Sequence, residues 1–416
     1  MLTIAPIKRA LVPVDSQAAA AIADRNYDEF QGDHEIWSRL QQYPNSILRV
    51  TMSHCEALTT DDMLVDGSTD ALARSSKNMA ELVGSPQTKV VHDALWIYEI
   101  VDPTRPGVRQ IGLGCMAETQ AIRTADTPQG TIIRNEGIRE KKAAGRAKLI
   151  EATQSYIGVV NNTFEDPENE VASALEAIAD RRAPDFEVTD EKGYTHRSWI
   201  ETDRTTIEEL AARMRGIPCA YVADGNHRSA AAAHLGRTHF LNVLFPSGRM
   251  GLAPYNRLVR TMGGHDFESL RTELADDFDV THSHDVPDVQ HHCFGLYFGT
   301  SDGWLVLTPK PHTYDENNAV QVIDADIVQR HIFHRLLDIE DARDERLNFV
   351  GGDRPVPYLM SRVDNGEFAF AVSLAPVAMK SIIDICEQDR FMPPKSTWFE
   401  PKIRIGLVVA LFDEHP

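Results

Sequence analysis

A polar turn between an apolar segment and an alanine-rich one has the residue types of an anion-binding site. Residues 217–223 are mainly apolar, which is typical of a short strand, and residues 229–233 predict a helix. Between them, Gly225 permits a positive φ and lets a phosphate approach the backbone closely. Asp224 or Asn226 could cap the helix, whose first N–H groups carry partial positive charge. The spacing therefore predicts an anion site at a helix N-terminus.

Two donors extend this turn into the helix. His227 and Arg228 follow the turn directly, and the planar fork of an arginine matches the oxygens of a phosphate. A strand, an Asp-Gly turn and a helix also occur together without any ligand. A packing role for His227 and a surface role for Arg228 therefore remain alternatives at this point.

Two pairs of polar residues are further candidates for substrate binding. Arg134 and Glu136 alternate along a predicted strand, which would place a cation and a carboxylate on one face. A structural ion pair is the alternative for these two residues. Asn256 and Arg257 follow a Pro-Tyr turn and could contact a substrate carboxylate, and a plain surface position is equally open.

The segment 392–402 is bounded by prolines and contains aromatic residues, which predicts a loop of fixed shape. It carries three charged candidates for ligand binding, Lys395, Glu400 and Lys402. Charged residues on rigid loops are typical of binding sites, because a scaffold holds them in place.

Composition excludes several classes of function. The 416 residues include 42 Lys and Arg against 62 Asp and Glu, so the formal net charge is −20. Such an acidic surface repels nucleic-acid polymers and anionic membranes, although a local anion site is compatible with it. The N-terminus lacks a signal-peptide layout, and five cysteines without a CxxC pair are typical of reduced thiols. We therefore expect a soluble, cytoplasmic protein.

No metal site is predicted. The run 282–292 contains histidines and aspartates, which are metal-ligand types, but Pro287 and the acidic neighbours indicate an exposed loop.

Strands and helices are both expected around the candidate residues. The patterns predict a helix over 16–30, strands over 47–51 and 95–101, a helix over 137–153, and a strand–turn–helix over 217–235. This mixture predicts an α+β or mixed α/β fold. Three regions are expected, namely 1–125 with early acidic residues, 126–260 with the polar turn, and 261–416 with the Pro-bounded loop.

The residues around the turn resemble a known family. The stretch 221–231 resembles the A-D-G-H-H-R signature of the prokaryotic family catalogued as domain of unknown function 1015. Residues 132–153 and 243–257 resemble its R-H-E … D-R … A-T and L-F-P … L-P-Y-N-R segments, and 347–352 and 392–402 resemble its C-terminal blocks. Because the matches run through most of the chain, the protein is identified as a member of this family.

The resemblance implies a function. A similar motif occurs in the ADP-dependent free serine kinase, which has a ParB/sulfiredoxin-like core, so the family likeness implies a nucleotide-binding core of that type. It implies that residues 224–228 hold the phosphates of ATP or ADP with Mg²⁺. A phosphoryl group would then pass to the hydroxyl of free serine or of a similar small amino acid or metabolite.

The resemblance also suggests catalytic residues. Asp28 matches the family's P-Y-D and is the expected base for the attacking hydroxyl, with its neighbour Glu29 as the other candidate. An ordinary acidic residue on a solvated helix end is the alternative for this position. His227 is the imidazole that remains in the motif. Asn226 and Asn135 stand where the family usually has histidine, so two imidazoles are missing from the predicted pocket.

Two other functions remain open from the sequence. One is a non-catalytic nucleotide- or metabolite-binding regulator of the ParB-like type. The other is a different nucleotide-dependent transfer, such as phosphorylation of a sulfur acid. The expected partners are a small-molecule substrate and a nucleotide, and a homodimer is one open assembly.

Overall fold

Most of the secondary structure belongs to two β-sheets with helices packed on them. A computed structural model describes residues 1–341, 344–352 and 354–412. Its contacts divide the chain into unit 1, with residues 1–134, 138–250 and 401–416, and unit 2, with residues 135–137 and 251–400. The mixed α/β class expected from the sequence is confirmed, and the three regions expected there stay a prediction.

The strands of the described residues are β1 (Ile4–Ala5), β2 (Ile7–Pro13), β3 (Thr88–Val101), β4 (Arg109–Glu118), β5 (Ile132–Ile133), β6 (Ser155–Tyr156), β7 (Val160–Phe164), β8 (Phe186–Thr189), β9 (Thr195–Glu201), β10 (Ala220–Asp224), β11 (His239–Pro246), β12 (Leu252–Ala253), β13 (Tyr255–Val259), β14 (Phe278–Ser283), β15 (Phe294–Tyr297), β16 (Trp304–Pro309), β17 (Leu347–Gly351), β18 (Phe370–Ser373), β19 (Trp398–Phe399) and β20 (Val409–Leu411).

The α-helices are α1 (Ser16–Ile22), α2 (Asp33–Gln42), α3 (Leu48–Thr51), α4 (Thr69–Val83), α5 (Glu140–Thr153), α6 (Glu170–Ala179), α7 (Arg204–Arg215), α8 (Asn226–His234), α9 (Phe267–Asp277), α10 (Asp324–Val328), α11 (Arg335–Leu337), α12 (Val356–Asp364) and α13 (Met379–Glu387). A π-helical turn over Gln329–His334 joins α10 to α11. Among the described residues, each helix is too short or too polar to cross a bilayer.

Unit 1 is built on a mixed sheet. Within the described residues it has the strand order β5-β10-β7-β11-β4-β3-β2-β20-β6, while β1 pairs with β4 and β9 joins β8 to β3. β3 and β4 form a long antiparallel hairpin. β10 runs parallel to β5 and antiparallel to β7. This arrangement fixes the end of β10, where the polar turn begins, against the start of β7.

One predicted strand is a helix. Residues 47–51 are rich in β-branched and aliphatic side chains, which favoured a strand, but residues 48–51 form α3. The hydroxyl of Ser46 accepts a hydrogen bond from the N–H of Leu48 at 3.1 Å, and Leu48 and Val50 are buried. Burial against the neighbouring helices thus overrides the local β preference. The helix predicted over 16–30 is also shorter, because α1 ends at Ile22.

Unit 2 contains an antiparallel sheet of the order β14-β16-β15-β18-β13-β17 and a separate β12–β19 pair. Its core includes Leu258, Tyr297, Trp304 and Leu359. The run 282–292, expected to be a loop, contributes its first two residues to β14.

Candidate functional site

The polar turn of unit 1 has the conformation that its sequence predicts. β10 ends at Asp224, Gly225 has φ of 106°, and α8 begins at Asn226. A Cβ added to Gly225 would lie 3.1 Å from Nε of Arg228 and 3.2 Å from Cα of Val160, so a side chain is excluded on two grounds. The N-cap residue of α8 is Gly225, which has no side chain to cap the helix. Capping of α8 by the side chain of Asp224 or Asn226, which the sequence suggested, stays a prediction.

Asp224 holds Arg228 in place. Its Oδ2 accepts a hydrogen bond from Nη2 of Arg228 at 2.9 Å, and Nη1 of Arg228 donates to the carbonyl of Val159. Nζ of Lys402 lies 3.9 Å from the same carboxylate oxygen. The Arg228 side chain is only 14% exposed, so the surrounding residues fix its position. Two cations therefore converge on one carboxylate beside the start of α8.

A group of cations surrounds His227. Burial, followed by the positive charges of Lys142, Arg139, Arg146 and Arg228, lowers the pKa of His227 to about 4. Its Nε2 accepts a hydrogen bond from the backbone N–H of Arg139 at 3.0 Å. His227 is therefore neutral at pH 7 and its lone pair is engaged. Four cations meet at this place although the whole chain is strongly acidic.

The early acidic pair lies in a short 3-10 helix over Tyr27–Glu29. Asp28 is exposed, whereas the Glu29 side chain is only 4% exposed. Oε1 of Glu29 accepts the N–H of Asn26 at 2.9 Å, which closes a capping box. Burial raises the pKa of Glu29 to about 7, against the lowering effect of Arg404. Glu29 is therefore a carboxyl group that gains and loses its proton near neutral pH.

A buried polar chain supports Glu29 from behind. Nη1 of Arg404 lies 3.4 Å from Oε2 of Glu29, and Nη2 of the same guanidinium donates to Asp190. Asp190 also contacts Nε2 of His196 at 3.2 Å, and Nδ1 of His196 lies 2.7 Å from the hydroxyl of Tyr98. The Arg404 and Asp190 side chains are each 4% exposed. Because Asp190 shares the guanidinium, Arg404 neutralises Glu29 only in part.

Electrostatic contacts connect the acidic pair to the turn. The positive charge of Lys402 lowers the pKa of Glu29, and Lys402 is also the cation beside Asp224. Burial acts to lower the pKa of Arg228, but the charges of Asp224 and Asp28 raise it above its usual value. The turn and the acidic pair therefore belong to one site in unit 1.

A narrow cleft lies beside these groups, with a volume of about 40 Å³. Its lining includes Tyr27, Arg146, Tyr156, Thr51 and Arg228. The guanidinium carbon of Arg146 lies 3.6 Å from the centre of the Tyr27 ring. Among the described residues, the buried hydroxyls of Tyr156 and Thr51 have no hydrogen-bond partner. Because an unpaired buried hydroxyl is unfavourable, these groups are suited to bind polar atoms of a ligand.

Four candidates lie in unit 2 and have structural contacts there. Oδ1 of the buried Asn256 accepts the N–H of Leu374 at 3.0 Å. The buried Arg257 donates to the carbonyls of Tyr255 and Lys395. The Lys395 ammonium lies 5.4 Å from the centre of the Tyr255 ring. Oε2 of Glu400 accepts a hydrogen bond from Nε1 of Trp398 at 2.7 Å. Substrate binding by these four residues stays a prediction.

The predicted strand that carried Arg134 and Glu136 is incorrect. β5 ends at Ile133, so neither residue lies on a strand face. Arg134 belongs to unit 1 and Glu136 to unit 2. The alternation of charge was too short a pattern to distinguish a strand from the loop that follows one.

Sequence reasoning missed the residues that set the chemistry of Glu29. Arg404, Asp190 and His196 were not singled out, because they are distant from Glu29 along the chain and have no motif spacing. Lys402 was singled out, and the alternation of residues 402 and 404 could have extended that choice to Arg404.

The comparisons agree with the motifs. The family model described as "Protein of unknown function (DUF1015)" matches residues 4–327. The chain belongs to this family. No curated protein matches the chain at a significant level.

Several solved structures are distantly similar to it. One is a conserved hypothetical protein from Pyrococcus furiosus, with 10% identity and a TM-score of 0.35, where the match covers 69% of this chain and 91% of that chain. Another is a free serine kinase in complex with AMP, with 10% identity, a TM-score of 0.37 and coverage of 70% of this chain and 91% of that chain. A third is SbnI with C-terminal truncation from Staphylococcus aureus, with 10% identity, a TM-score of 0.38 and coverage of 71% of this chain and 87% of that chain.

Proposed function

We propose that unit 1 binds ADP or ATP and transfers its terminal phosphoryl group to the hydroxyl of serine or of a similar small metabolite. The observation that carries this proposal is Glu29, a buried carboxyl group with a pKa of about 7, next to cations at the N-terminus of α8. Phosphoryl transfer needs these two features together, a phosphate cradle and a base or positioner for the attacking hydroxyl.

The nucleotide phosphates are assigned to the start of α8. Its N–H groups and positive helix end favour anions, and Gly225 permits close approach. A guanidinium carries five N–H donors, so the contacts of Arg228 to Asp224 and Val159 leave donors for a phosphate oxygen. Neutral His227 is assigned as a donor through Nδ1, because its Nε2 already accepts a hydrogen bond.

Glu29 is assigned as the base. The hydroxyl oxygen of the acceptor forms a bond to the terminal phosphorus, and the bond from that phosphorus to the bridging oxygen breaks. The electron pair leaves with AMP or ADP, and the hydroxyl proton passes to the Glu29 carboxylate. A base is most effective when its pKa lies near the working pH, which favours buried Glu29 over exposed Asp28.

The carboxylates near the turn fit a bound Mg²⁺. This ion prefers oxygen ligands and commonly binds one or two carboxylates together with substrate phosphates. Asp28 and Asp224 both act electrostatically on Arg228 and are of this type. Mg²⁺ would neutralise charge on the phosphates. A ParB/sulfiredoxin-like core, a cytoplasmic location and a homodimer belong to the same proposal.

One observation favours a binding protein without catalysis. Two family imidazoles are absent at Asn226 and Asn135, and the remaining imidazole of His227 is neutral and engaged. A nucleotide-binding regulator needs the phosphate cradle but no base. Phosphoryl transfer depends on Glu29, whereas nucleotide binding by a regulator does not.

The test is turnover with purified full-length protein. The protein is incubated with ADP or ATP, Mg²⁺ and a panel of hydroxyl amino acids, and new phosphate esters are followed by phosphorus NMR. Wild type is expected to form one ester, at a rate that rises through a pH of about 7 as Glu29 loses its proton. Glu29→Gln is expected to lower the rate by about 100-fold or more while nucleotide affinity is retained.

Three variants complete the design. Asp28→Asn is expected to keep the pH dependence of the rate even where the rate falls, because the base is still present. Glu208→Gln makes the same chemical change on the exposed face of α7 and leaves the rate unchanged. Arg228→Ala is expected to weaken nucleotide binding by about tenfold or more. Nucleotide binding without any ester supports the regulator, and loss of the pH dependence in Asp28→Asn makes Asp28 the base.

A further inference from the structure

A second cluster of unit 1 has the residue types of a transition-metal site. Asp33 is the first residue of α2, and His54 and Cys55 lie in the 3-10 turn Ser53–Cys55. One carboxylate oxygen, one ring nitrogen and the sulfur of these three residues all lie within 4.8 Å of one another. His54 and Cys55 are buried, and Asp33 is exposed. None of the three belongs to the site described above.

The geometry of His54 fits a ligand of a shared ion. Its ring is buried, with 2% of the residue exposed, and Nε2 lies 3.3 Å from Oδ1 of Asp33. Despite that separation, Nε2 has no hydrogen-bond partner among the described residues. Two ligands of a tetrahedral ion with bonds of about 2.0 Å lie about 3.3 Å apart. The separation of the two atoms thus fits a shared ion better than a direct hydrogen bond.

The other side of the imidazole faces a second carboxylate. Nδ1 of His54 lies 3.6 Å from Oδ1 of Asp66. A metal-binding histidine commonly donates its second ring N–H to a carboxylate, which fixes the tautomer and orients the ring. Asp66 is in a position to do this for His54, which would leave the Nε2 lone pair for a metal.

Cys55 supplies the ligand that selects the metal. Its buried sulfur lies within 4.8 Å of the Asp33 carboxylate and of the His54 ring nitrogen. A divalent cation stabilises the thiolate form of a cysteine, and the thiol proton is released on binding. Sulfur and imidazole nitrogen are ligands of Zn²⁺, whereas Mg²⁺ requires oxygen. The cluster is therefore unsuited to the Mg²⁺ of the proposed transfer reaction.

A similar group in unit 2 is a weaker candidate. His291, His292 and Asp324 also lie close together. Nε2 of His292 bonds to the carbonyl of Val322 at 2.8 Å, and Asp324 accepts the backbone N–H of His292. These groups already have partners that explain their positions.

We propose that Asp33, His54 and Cys55 bind one Zn²⁺ ion, with Asp66 as the carboxylate that orients His54. The exposed side at Asp33 leaves a fourth position for water. The ion joins the start of α2 to the turn 53–55, so its function is to stabilise this part of unit 1.

Cobalt is the probe for this site. Full-length protein is freed of metal with a chelator and titrated with Co²⁺, whose complexes with thiolate show charge-transfer absorption. We expect one equivalent to bind with such a band and Zn²⁺ to displace it. Asp66→Asn is expected to weaken binding by about 10- to 100-fold. Zn²⁺ is expected to raise the melting temperature of the metal-free protein, because it binds only the folded state.

Matched cysteine variants test the assignment. Cys55→Ser is expected to lose the band, whereas Cys386→Ser, which alters a buried cysteine of α13, retains it. Asp33→Asn changes an exposed residue, so it keeps the test valid if Cys55→Ser fails to fold, and it is expected to weaken Co²⁺ binding by about tenfold or more. A band that persists in Cys55→Ser, unaltered affinity in Asp33→Asn, or wild type without a band would each overturn the proposal.

Discussion

At the scale of single residues, the ionisation of Glu29 depends on a competition between burial and a shared cation. Removal from water disfavours the charged carboxylate, and Arg404 compensates only in part because it also binds Asp190. The pKa of Glu29 therefore lies at about 7 rather than at the ordinary value of 4.5. Folding therefore places Glu29 where its charged, basic form is disfavoured, and this lowers the stability of the folded state once the carboxyl group ionises.

This competition predicts a pH-dependent stability. Between pH values of about 4.5 and 7 the folded state retains the Glu29 proton and the unfolded state loses it, so stability falls as pH rises through that window. The loss for this one group amounts to at most about 3 kcal/mol. Glu29→Gln cannot ionise, so its free energy of unfolding is expected to fall less steeply over this range.

Urea denaturation at a series of pH values measures this difference. Glu208→Gln, with the same change at an exposed position, is expected to follow wild type. Parallel curves for wild type and Glu29→Gln would show that the pKa of Glu29 is not raised by folding.

At the scale of elements, the position of Arg228 depends on two glycines from different segments. Gly225 lies in the turn before α8, and Gly158 lies just before β7. A Cβ on Gly158 would lie 2.9 Å from Cδ of Arg228. Unlike Gly225, Gly158 does not have a positive φ, so a substitution there acts mainly on the arginine.

Gly158→Ala is therefore a probe of the phosphate cradle. The added methyl group is expected to displace Arg228 and to weaken nucleotide binding by about tenfold, since a charge-assisted contact is lost. Gly145→Ala is the matched control, because Gly145 is exposed on α5 and its added Cβ meets nothing within 4 Å. The control is expected to bind normally and to gain up to about 1 kcal/mol of stability. Equal affinities in a nucleotide titration would mean that Arg228 does not contact the ligand.

At the scale of the whole molecule, the distribution of charge matters more than its total. The net charge is −20, yet Arg139, Lys142, Arg146 and Arg228 gather around His227. The cluster can attract a small polyanion, while the acidic remainder repels a long one. This contrast fits a nucleotide better than a nucleic-acid polymer.

Ionic strength tests this distribution. Raising NaCl from about 50 mM to about 500 mM shortens the screening length severalfold, so the affinity for ADP is expected to fall by about tenfold. Adenosine lacks the phosphates, and its affinity is expected to remain nearly constant in the same titration. A similar salt dependence for both ligands would show that the phosphates do not bind near the cations around His227.

The sequence by itself determined the local features. The strand, turn and helix predicted over 217–235 are confirmed. The positive φ of Gly225 and the formation of the Ala-rich helix depend mainly on residues that are neighbours in the sequence. The motifs gave the family for the same reason, since each is a contiguous segment. Capping of the helix by Asp224 or Asn226 stays a prediction, because a cap depends on where the side chain points.

Only the tertiary structure decided which residues act together. Glu29 and Arg404 meet although nearly the whole chain lies between them, and Asp33 meets His54 and Cys55 through the packing of separate helical segments. The helix at 48–51 replaced a predicted strand because buried neighbours outweighed local preference. Burial sets the pKa of Glu29, and spatial proximity brings the ligand types together around His54. Burial and proximity cannot be read from spacing along the chain.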